Sequence, residues 1–119
     1  MFGLSVAIAT PFNKNDKIEV NEFRKQISNL LTSKIDSITF FGTTGEGPSI
    51  SFSEKIQTLE YLLSYELTPK QIYVSIIQSN YKSAQIEIDK YNELGINKFL
   101  VSPPFFFKEL DQHALEKWF

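Results

Sequence analysis

A short loop rich in glycine and threonine carries the residues of this sequence that are best suited to bind a ligand. The loop reads Phe41-Gly42-Thr43-Thr44-Gly45-Glu46-Gly47. It places two adjacent hydroxyl donors between glycines, which let a backbone approach a ligand closely. Backbone N–H groups in such a turn can converge on an anion. Because the loop contains no Lys or Arg, its composition favours a small carboxylate over a phosphate.

The spacing of these glycines does not match the common nucleotide-binding motifs. A P-loop would continue into Gly-Lys-Ser/Thr, and the dinucleotide fingerprint is G-x-G-x-x-G, whereas this loop reads G-x-x-G-x-G. The alternative interpretation is a tight turn whose glycines serve backbone geometry alone. The loop follows a strand, and sites on parallel sheets and barrels lie at the carboxyl ends of strands, which favours a ligand site.

The composition excludes several classes of function. Twelve basic residues face fourteen acidic ones, for a net charge of -2, which argues against a nucleic-acid surface. The absence of cysteine excludes disulfides, thiolate metal sites and a cysteine nucleophile. His113 is the single histidine and is expected on the surface of a helix, so neither a metal site nor a cofactor is predicted.

The amino-terminal segment is apolar but does not have the pattern of a targeting sequence. Residues 1–11 lack the basic start and the length of a signal peptide or a membrane span. The sequence therefore predicts a soluble cytoplasmic protein that makes no contact with a membrane.

Four predicted strands alternate with amphipathic helices. The strands are expected at residues 4–10, 37–41, 71–77 and 99–102. Ser51 and Glu54 have the spacing of a capping box, in which each side chain accepts from the backbone of the other residue. Gly95 is expected as a left-handed C-cap. Asp111 is expected as the N-cap of a last helix.

Near-continuous apolar strands, each followed by a helix, indicate an α/β fold with a parallel sheet. A doubly wound open sheet and a (β/α)8 TIM barrel both fit this pattern. Strands that begin about thirty residues apart match βαβ units, and a full barrel needs about 250 residues. The length therefore favours residues 1–119 as the N-terminal part of a single TIM-barrel domain, with four βα units and an end within the fourth helix.

Three motifs together resemble the dihydrodipicolinate synthase / N-acetylneuraminate lyase family. They are Val6-Ala7-Ile8-Ala9-Thr10-Pro11-Phe12, Gly42-Thr43-Thr44-Gly45-Glu46-Gly47 and Ser102-Pro103-Pro104-Phe105-Phe106-Phe107. The resemblance implies a barrel enzyme, typically a homotetramer, that forms a Schiff base between a lysine and pyruvate or another 2-keto acid. It implies that Thr43, Thr44 and Gly45 bind the pyruvate carboxylate. It further implies that the Thr43 hydroxyl belongs to a proton relay with tyrosines. Glu46 matches the motif, and we assign it only a loop-ordering role.

The sequence departs from the family pattern in three places. The Schiff-base lysine and one relay tyrosine of the family lie on later strands, beyond residue 119, and lysines such as Lys55, Lys98 and Lys108 match no catalytic position. Residues 105–107 are phenylalanines where relatives carry tyrosine, which weakens a strict dihydrodipicolinate synthase assignment. The stretch Pro48-Ser49-Ile50-Ser51 is closer to the 2-keto-3-deoxygluconate aldolase branch.

Two hypotheses about function follow from these residues. In the first, the chain is the amino-terminal piece of a pyruvate-dependent lyase or synthase, and the isolated piece is inactive. In the second, it is a non-catalytic half-barrel that associates with itself or binds a partner, because an unclosed sheet leaves two edges and an uncovered apolar face.

The aromatic residues outside the loop are mostly expected to pack. For residues 105–107 the alternatives are a site lining, a subunit contact and packing under the barrel rim, of which packing is favoured. Tyr61, Tyr65 and Tyr91 lie on helical stripes and are expected to pack. Tyr81 follows the third strand and stays a candidate for the site. Gln78, in the same loop, replaces a glycine of the relatives.

Overall fold

A computed structural model describes residues 3–119, so the first two residues of the predicted domain lie outside the described part. Within that part, strands and helices alternate as the sequence predicts. The strands are β1 (Ser5–Ala7), β2 (Ser37–Phe40), β3 (Ile72–Ile76) and β4 (Phe99–Val101). The helices are α1 (Val20–Leu31), α2 (Phe52–Tyr65), α3 (Tyr81–Glu93) and α4 (Gln112–Trp118), with 3₁₀ turns at Gly47–Ser49 and Pro69–Gln71. Each of these helices is too short or too polar to cross a bilayer.

The topology of the sheet decides between the two architectures that the sequence leaves open. The four strands are parallel and lie side by side in chain order, β1-β2-β3-β4. A doubly wound sheet places its first strand inside the sheet and reverses direction there, whereas a barrel adds each strand next to the previous one. The described strands therefore have the order of consecutive strands of a barrel.

The two faces of the sheet differ in chemistry because side chains alternate along each strand. Ile38, Phe40, Ile72, Val74 and Ile76 point towards the helices and are almost completely buried. The opposite face carries small and hydroxyl-bearing side chains together with the exposed Leu100.

The sheet face that carries the hydroxyls is more polar than the sequence predicts. A hydrogen bond of 2.9 Å joins the hydroxyls of Ser5 and Thr39 across β1 and β2. The uncovered apolar face expected of an unclosed barrel is therefore only partly apolar. The near-continuous apolar strands predicted burial of both sheet faces, but the face opposite the helices is built largely from Ser and Thr.

Strand β1 is shorter than predicted. It ends at Ala7 rather than at residue 10, although the amide of Ile8 still donates to the carbonyl of Thr39 at 3.1 Å. Beyond Ile8 the chain leaves the sheet, and the buried side chain of Thr10 contacts the glycine-rich loop instead.

The start of α2 confirms half of the predicted capping box. The hydroxyl of Ser51 accepts a hydrogen bond from the amide of Glu54 at 3.3 Å. The Glu54 carboxylate does not return to Ser51, and it accepts instead from the amide of Ile18 at 3.1 Å. The prediction for Glu54 is wrong because a distant backbone donor competes with the local one. The N-cap prediction for Asp111 is confirmed, since its carboxylate accepts from the amide of Ala114 at 2.7 Å.

Helix α3 ends in a Schellman motif, which confirms the prediction for Gly95. Gly95 has φ +81°, and its amide donates to the carbonyl of Asn92 at 2.9 Å. The amide of Ile96 reaches back to the carbonyl of Tyr91 at 3.1 Å, and the Ile96 side chain is fully buried. These two bonds satisfy carbonyls at the end of the helix.

Replacing Gly95 with alanine is expected to lower the free energy of unfolding by about 1–2 kcal/mol. The left-handed conformation costs a residue with a Cβ atom roughly that amount, and the new Cβ would also lie 3.3 Å from Cγ of Pro69. Urea denaturation measures the loss. Gly95→Asn is the matched control, because asparagine tolerates this conformation better, and an equal loss for both variants would contradict the conformational explanation.

Candidate functional site

A cleft of about 330 Å³ opens at the carboxyl ends of the strands, next to the glycine-rich loop. Its walls come from all four strands and from the loops that follow them. The lining residues are Ala7, Thr39, Gly42, Thr43, Thr44, Ser75, Ile77, Leu100, Val101 and Ser102. Five of these residues carry hydroxyls, and none carries a charge. The cleft therefore offers hydrogen-bond donors to a ligand without a fixed counter-charge.

Thr43 and Thr44 lie at the mouth of this cleft, and both are exposed. Their position after β2 agrees with the predicted strand-end location. The backbone of the predicted binding residue Gly45 is buried behind them, and Gly45 is not among the lining residues. A carboxylate-binding role for Gly45 stays a prediction.

Two non-glycine residues in the left-handed conformation shape the loop. Phe41 has φ +60° directly after β2, and Glu46 has φ +53° at the other end. Between them, the amide of Glu46 donates to the carbonyl of Thr43 at 3.1 Å. The amide of Gly47 donates to the carbonyl of Gly42 at 3.0 Å and closes the turn. The backbone of Glu46 therefore orders the loop, as expected, while its side chain is exposed.

Two of the three glycines of the loop make room for the protein's own backbone. A Cβ atom on Gly47 would overlap the carbonyl oxygen of Phe41. A Cβ atom on Gly45 would lie 2.9 Å from the carbonyl oxygen of Ile8. Neither glycine has a positive φ. Close packing of the loop onto β1 and onto the end of β2 explains both glycines, so the geometric interpretation accounts for these two positions.

Two site residues are missing from the sequence-based prediction. Thr10 is buried, and its hydroxyl donates to the carbonyl of Gly45 at 2.6 Å. Ser75 is also buried and lines the cleft, where its Oγ atom would lie 3.1 Å from a Cβ on Gly42. One feature of the sequence could have identified Thr10, because it is a polar residue that interrupts an apolar strand immediately before a proline. Ser75 could have been identified in a similar way, because it is a single serine inside an Ile/Val-rich strand.

The expectation for the phenylalanines after β4 is wrong. Residues 105–107 are exposed by 59%, 78% and 63%, and they do not pack under the rim of the sheet. They lie in an irregular loop between β4 and α4 that buries Pro104 instead. Local composition predicted packing, but no neighbouring element among residues 3–119 covers these rings.

The other candidate side chains lie away from the cleft. The exposed Tyr81 begins α3 and packs edge-on against Trp118, with 6.5 Å between the ring centroids. Gln78 does not line the cleft. His113 is exposed on α4, as expected.

The tyrosines on helices differ in how deeply they are buried. Tyr91 is fully buried between Phe52 and Phe99, which confirms the expectation for this residue. Tyr61 is half-buried. Tyr65 is 65% exposed, but its ring packs against that of Tyr61, with 4.8 Å between the centroids, and the Arg24 guanidinium lies over it.

A family comparison matches the whole chain. The model of the dihydrodipicolinate synthetase family covers residues 1–119. The 4-hydroxy-tetrahydrodipicolinate synthase of Wigglesworthia glossinidia brevipalpis is 32% identical over 106 residues, which are 87% of this chain and 35% of that protein. An aldolase of Sulfurisphaera tokodaii is 34% identical over 114 residues, which are 94% of this chain and 38% of that protein. Its name is 2-dehydro-3-deoxy-phosphogluconate/2-dehydro-3-deoxy-6-phosphogalactonate aldolase.

Solved structures give the same grouping. Dihydrodipicolinate synthase from Agrobacterium tumefaciens superimposes with a TM-score of 0.93 at 28% identity, over 99% of this chain and 41% of that one. A variant of the 2-keto-3-deoxygluconate aldolase of Sulfolobus solfataricus superimposes with a TM-score of 0.82 at 27% identity, over 98% of this chain and 39% of that one. The chain thus spans well under half the length of the relatives that it matches, and its fold corresponds to the N-terminal part of their TIM barrels.

Proposed function

The chain belongs to the dihydrodipicolinate synthetase family, and on this premise we propose that it supplies the carboxylate-binding part of a pyruvate-dependent carbon–carbon lyase or synthase. The hydroxyl-lined cleft at the strand ends is the observation that supports this proposal most directly. Thr43 and Thr44 present two donors there on a loop that its own turn hydrogen bonds hold in shape. A small carboxylate matches such donors in size and in hydrogen-bonding capacity.

The reaction that we propose begins with a lysine amine and the ketone of a 2-keto acid. The amine attacks the carbonyl carbon and water leaves. The resulting iminium accepts the electron pair released at the neighbouring carbon: in the lyase direction this pair comes from the bond that joins that carbon to the leaving aldehyde, and in the synthase direction from the C–H bond whose proton is removed before the new carbon–carbon bond forms. Thr43 and Thr44 hold the carboxylate so that the ketone faces the amine, which is a contribution of orientation. None of the residues that line the cleft within residues 3–119 is a lysine. We therefore assign the reacting lysine to a part of the protein outside this chain.

The Thr43 hydroxyl has a second proposed role, in proton transfer. A hydroxyl both accepts and donates, so it can pass a proton between a reacting oxygen and a tyrosine. Phenylalanine cannot do this, and residues 105–107 are phenylalanines. The relay that we propose therefore uses a tyrosine at a position other than residues 105–107.

Borohydride trapping tests the Schiff-base proposal. The protein as its gene encodes it is incubated with pyruvate and sodium borohydride, which transfers hydride to the iminium and leaves a stable secondary amine. We expect a pyruvyl adduct on one lysine, located by peptide mass spectrometry outside residues 1–119. A trial without pyruvate is the control.

Two results would contradict parts of this proposal. The absence of any pyruvate-dependent adduct would remove the Schiff-base mechanism. A specific adduct on a lysine of this chain, such as Lys55 or Lys98, would instead show that the assignment of the nucleophile is wrong.

The identity of the second substrate, which reacts with pyruvate, decides between a synthase and an aldolase activity. The relatives include synthases as well as sugar-acid aldolases. We propose the pyruvate-dependent step for both branches, and a direct assay separates them. Release of pyruvate from 2-keto-3-deoxygluconate would support the aldolase branch, while consumption of pyruvate only in the presence of another aldehyde would support the synthase branch.

Self-association is the second proposed property. The exposed rings of residues 105–107, in the loop between β4 and α4, form an apolar surface, which favours contact with another copy of the chain. We propose a homo-oligomer for the active enzyme. For a non-catalytic half-barrel, the same surface would support association without activity. Sedimentation at several concentrations, combined with the trapping experiment, distinguishes an active oligomer from an inactive one.

A further inference from the structure

A buried ion pair lies behind the glycine-rich loop, away from the cleft. Lys55, in the first turns of α2, and Glu87, in the middle of α3, expose only 5% and 3% of their surface. The Nζ atom of Lys55 is 3.6 Å from Oε1 of Glu87. The proposed reaction uses neither residue.

This ion pair is poorly arranged to stabilise the fold. A distance of 3.6 Å is too long for a good hydrogen bond. Within residues 3–119, neither Oε2 of Glu87 nor the hydroxyl of the neighbouring Tyr91 has a hydrogen-bond partner. Burial, together with the charge of Glu87, raises the pKa of Tyr91, so its hydroxyl stays protonated beside the carboxylate. A buried pair with so few hydrogen bonds is often no more stable than apolar residues of similar volume.

The ammonium group of Lys55 also contacts the residue from which the loop begins. Its Nζ atom lies 5.9 Å from the ring centroid of Phe41, within the range of a cation–π interaction. Phe41 is fully buried and has the left-handed φ of +60° that directs the chain out of β2. An aromatic residue adopts this conformation only where its surroundings enforce it.

From these contacts we infer that Lys55 is a positioning residue for the carboxylate-binding loop. It holds the Phe41 ring in place, and through it the backbone turn that presents Thr43 and Thr44. Glu87 supplies the counter-charge that keeps the ammonium of Lys55 at this point. The effect on loop geometry is independent of the reaction, whereas its consequence for substrate affinity rests on the proposed function.

Hydrogen exchange of the loop tests this inference on the protein as its gene encodes it. The amides of Glu46 and Gly47 close the turn and report on the loop, while amides of β3 report on global unfolding. In Lys55→Met/Glu87→Leu the buried charges are gone, so global stability is kept or raised. We expect the loop amides of this variant to exchange about tenfold faster, because the cation–π contact is lost.

Two further variants sharpen the experiment. Lys55→Arg keeps a cation over the ring and should retain slow exchange of the loop. Lys98→Met is the matched control, since Lys98 makes the same kind of contact with a different ring, 5.2 Å from the centroid of Tyr73. It should leave the exchange of the loop amides unchanged.

The outcomes separate the positioning role from a structural one. Loop exchange at the wild-type rate in the double variant would overturn the inference, as would equal acceleration in Lys98→Met. Pyruvate kinetics add an independent readout, in which the double variant should show a KM raised about tenfold, in proportion to the loss of the contact. A protein that shows the exchange effect but forms no pyruvate adduct would retain the positioning role and lose the proposed function.

Discussion

Replacement of Gly47 with alanine is expected to lower the free energy of unfolding by roughly 2–4 kcal/mol, the largest effect of any single methyl addition in the glycine-rich loop. The new Cβ atom would overlap the carbonyl oxygen of Phe41, which is backbone and cannot rotate away. The turn would have to open and break the 3.0 Å bond from the amide of Gly47 to the carbonyl of Gly42. Thr43 and Thr44 lie within this turn and would move with it.

Gly42→Ala is the matched control for this prediction. Its Cβ atom would lie 3.1 Å from Oγ of Ser75, which is a small side chain that can rotate. The expected loss is therefore below about 1 kcal/mol. Urea denaturation of both variants at a constant m-value gives the comparison. Equal losses would show that the loop relaxes around Gly47, and the packing explanation would then fail.

Local patterns in the sequence were sufficient to predict the order of the elements and the place of the loop. The alternation of apolar strands with amphipathic helices gives the βα rhythm, and the N-caps at Ser51 and Asp111 depend only on neighbouring residues. The side-by-side order of the strands is not a local property. Length and the resemblance to a barrel family favoured it, whereas hydrophobic periodicity alone did not.

The parts that could not be predicted depend on residues distant in sequence. Glu54 binds the amide of Ile18 rather than its own cap, because that donor is brought close only by the packing of α2. In the same way, the hydroxyl of Thr10 donates to the carbonyl of Gly45, a residue that only the fold brings close to it. The prediction for residues 105–107 failed because an expected contact is absent from the described part of the chain. Their composition suggests a core, but no neighbouring element among residues 3–119 covers them.

The two threonine hydroxyls of the loop are expected to matter for the reaction and not for the fold. Both side chains are exposed, so Thr→Val substitutions, which conserve shape, should change the free energy of unfolding by no more than about 0.5 kcal/mol. Each hydroxyl lost from a charged carboxylate should cost about 1.5–3 kcal/mol of binding. The effect of the hydroxyls can therefore be measured without interference from unfolding, unlike that of Gly47.

The double variant Thr43→Val/Thr44→Val should reduce kcat/KM for pyruvate by at least about a hundredfold. The single variants should differ, because a hydroxyl that only binds the carboxylate affects KM, whereas one that also transfers a proton affects kcat. We therefore expect Thr44→Val to raise KM mainly and Thr43→Val to lower kcat as well. Thr43→Ser, which keeps the hydroxyl, should recover most of the activity. Steady-state kinetics checks all four variants, and unchanged kinetics in the double variant would remove the loop from the active site.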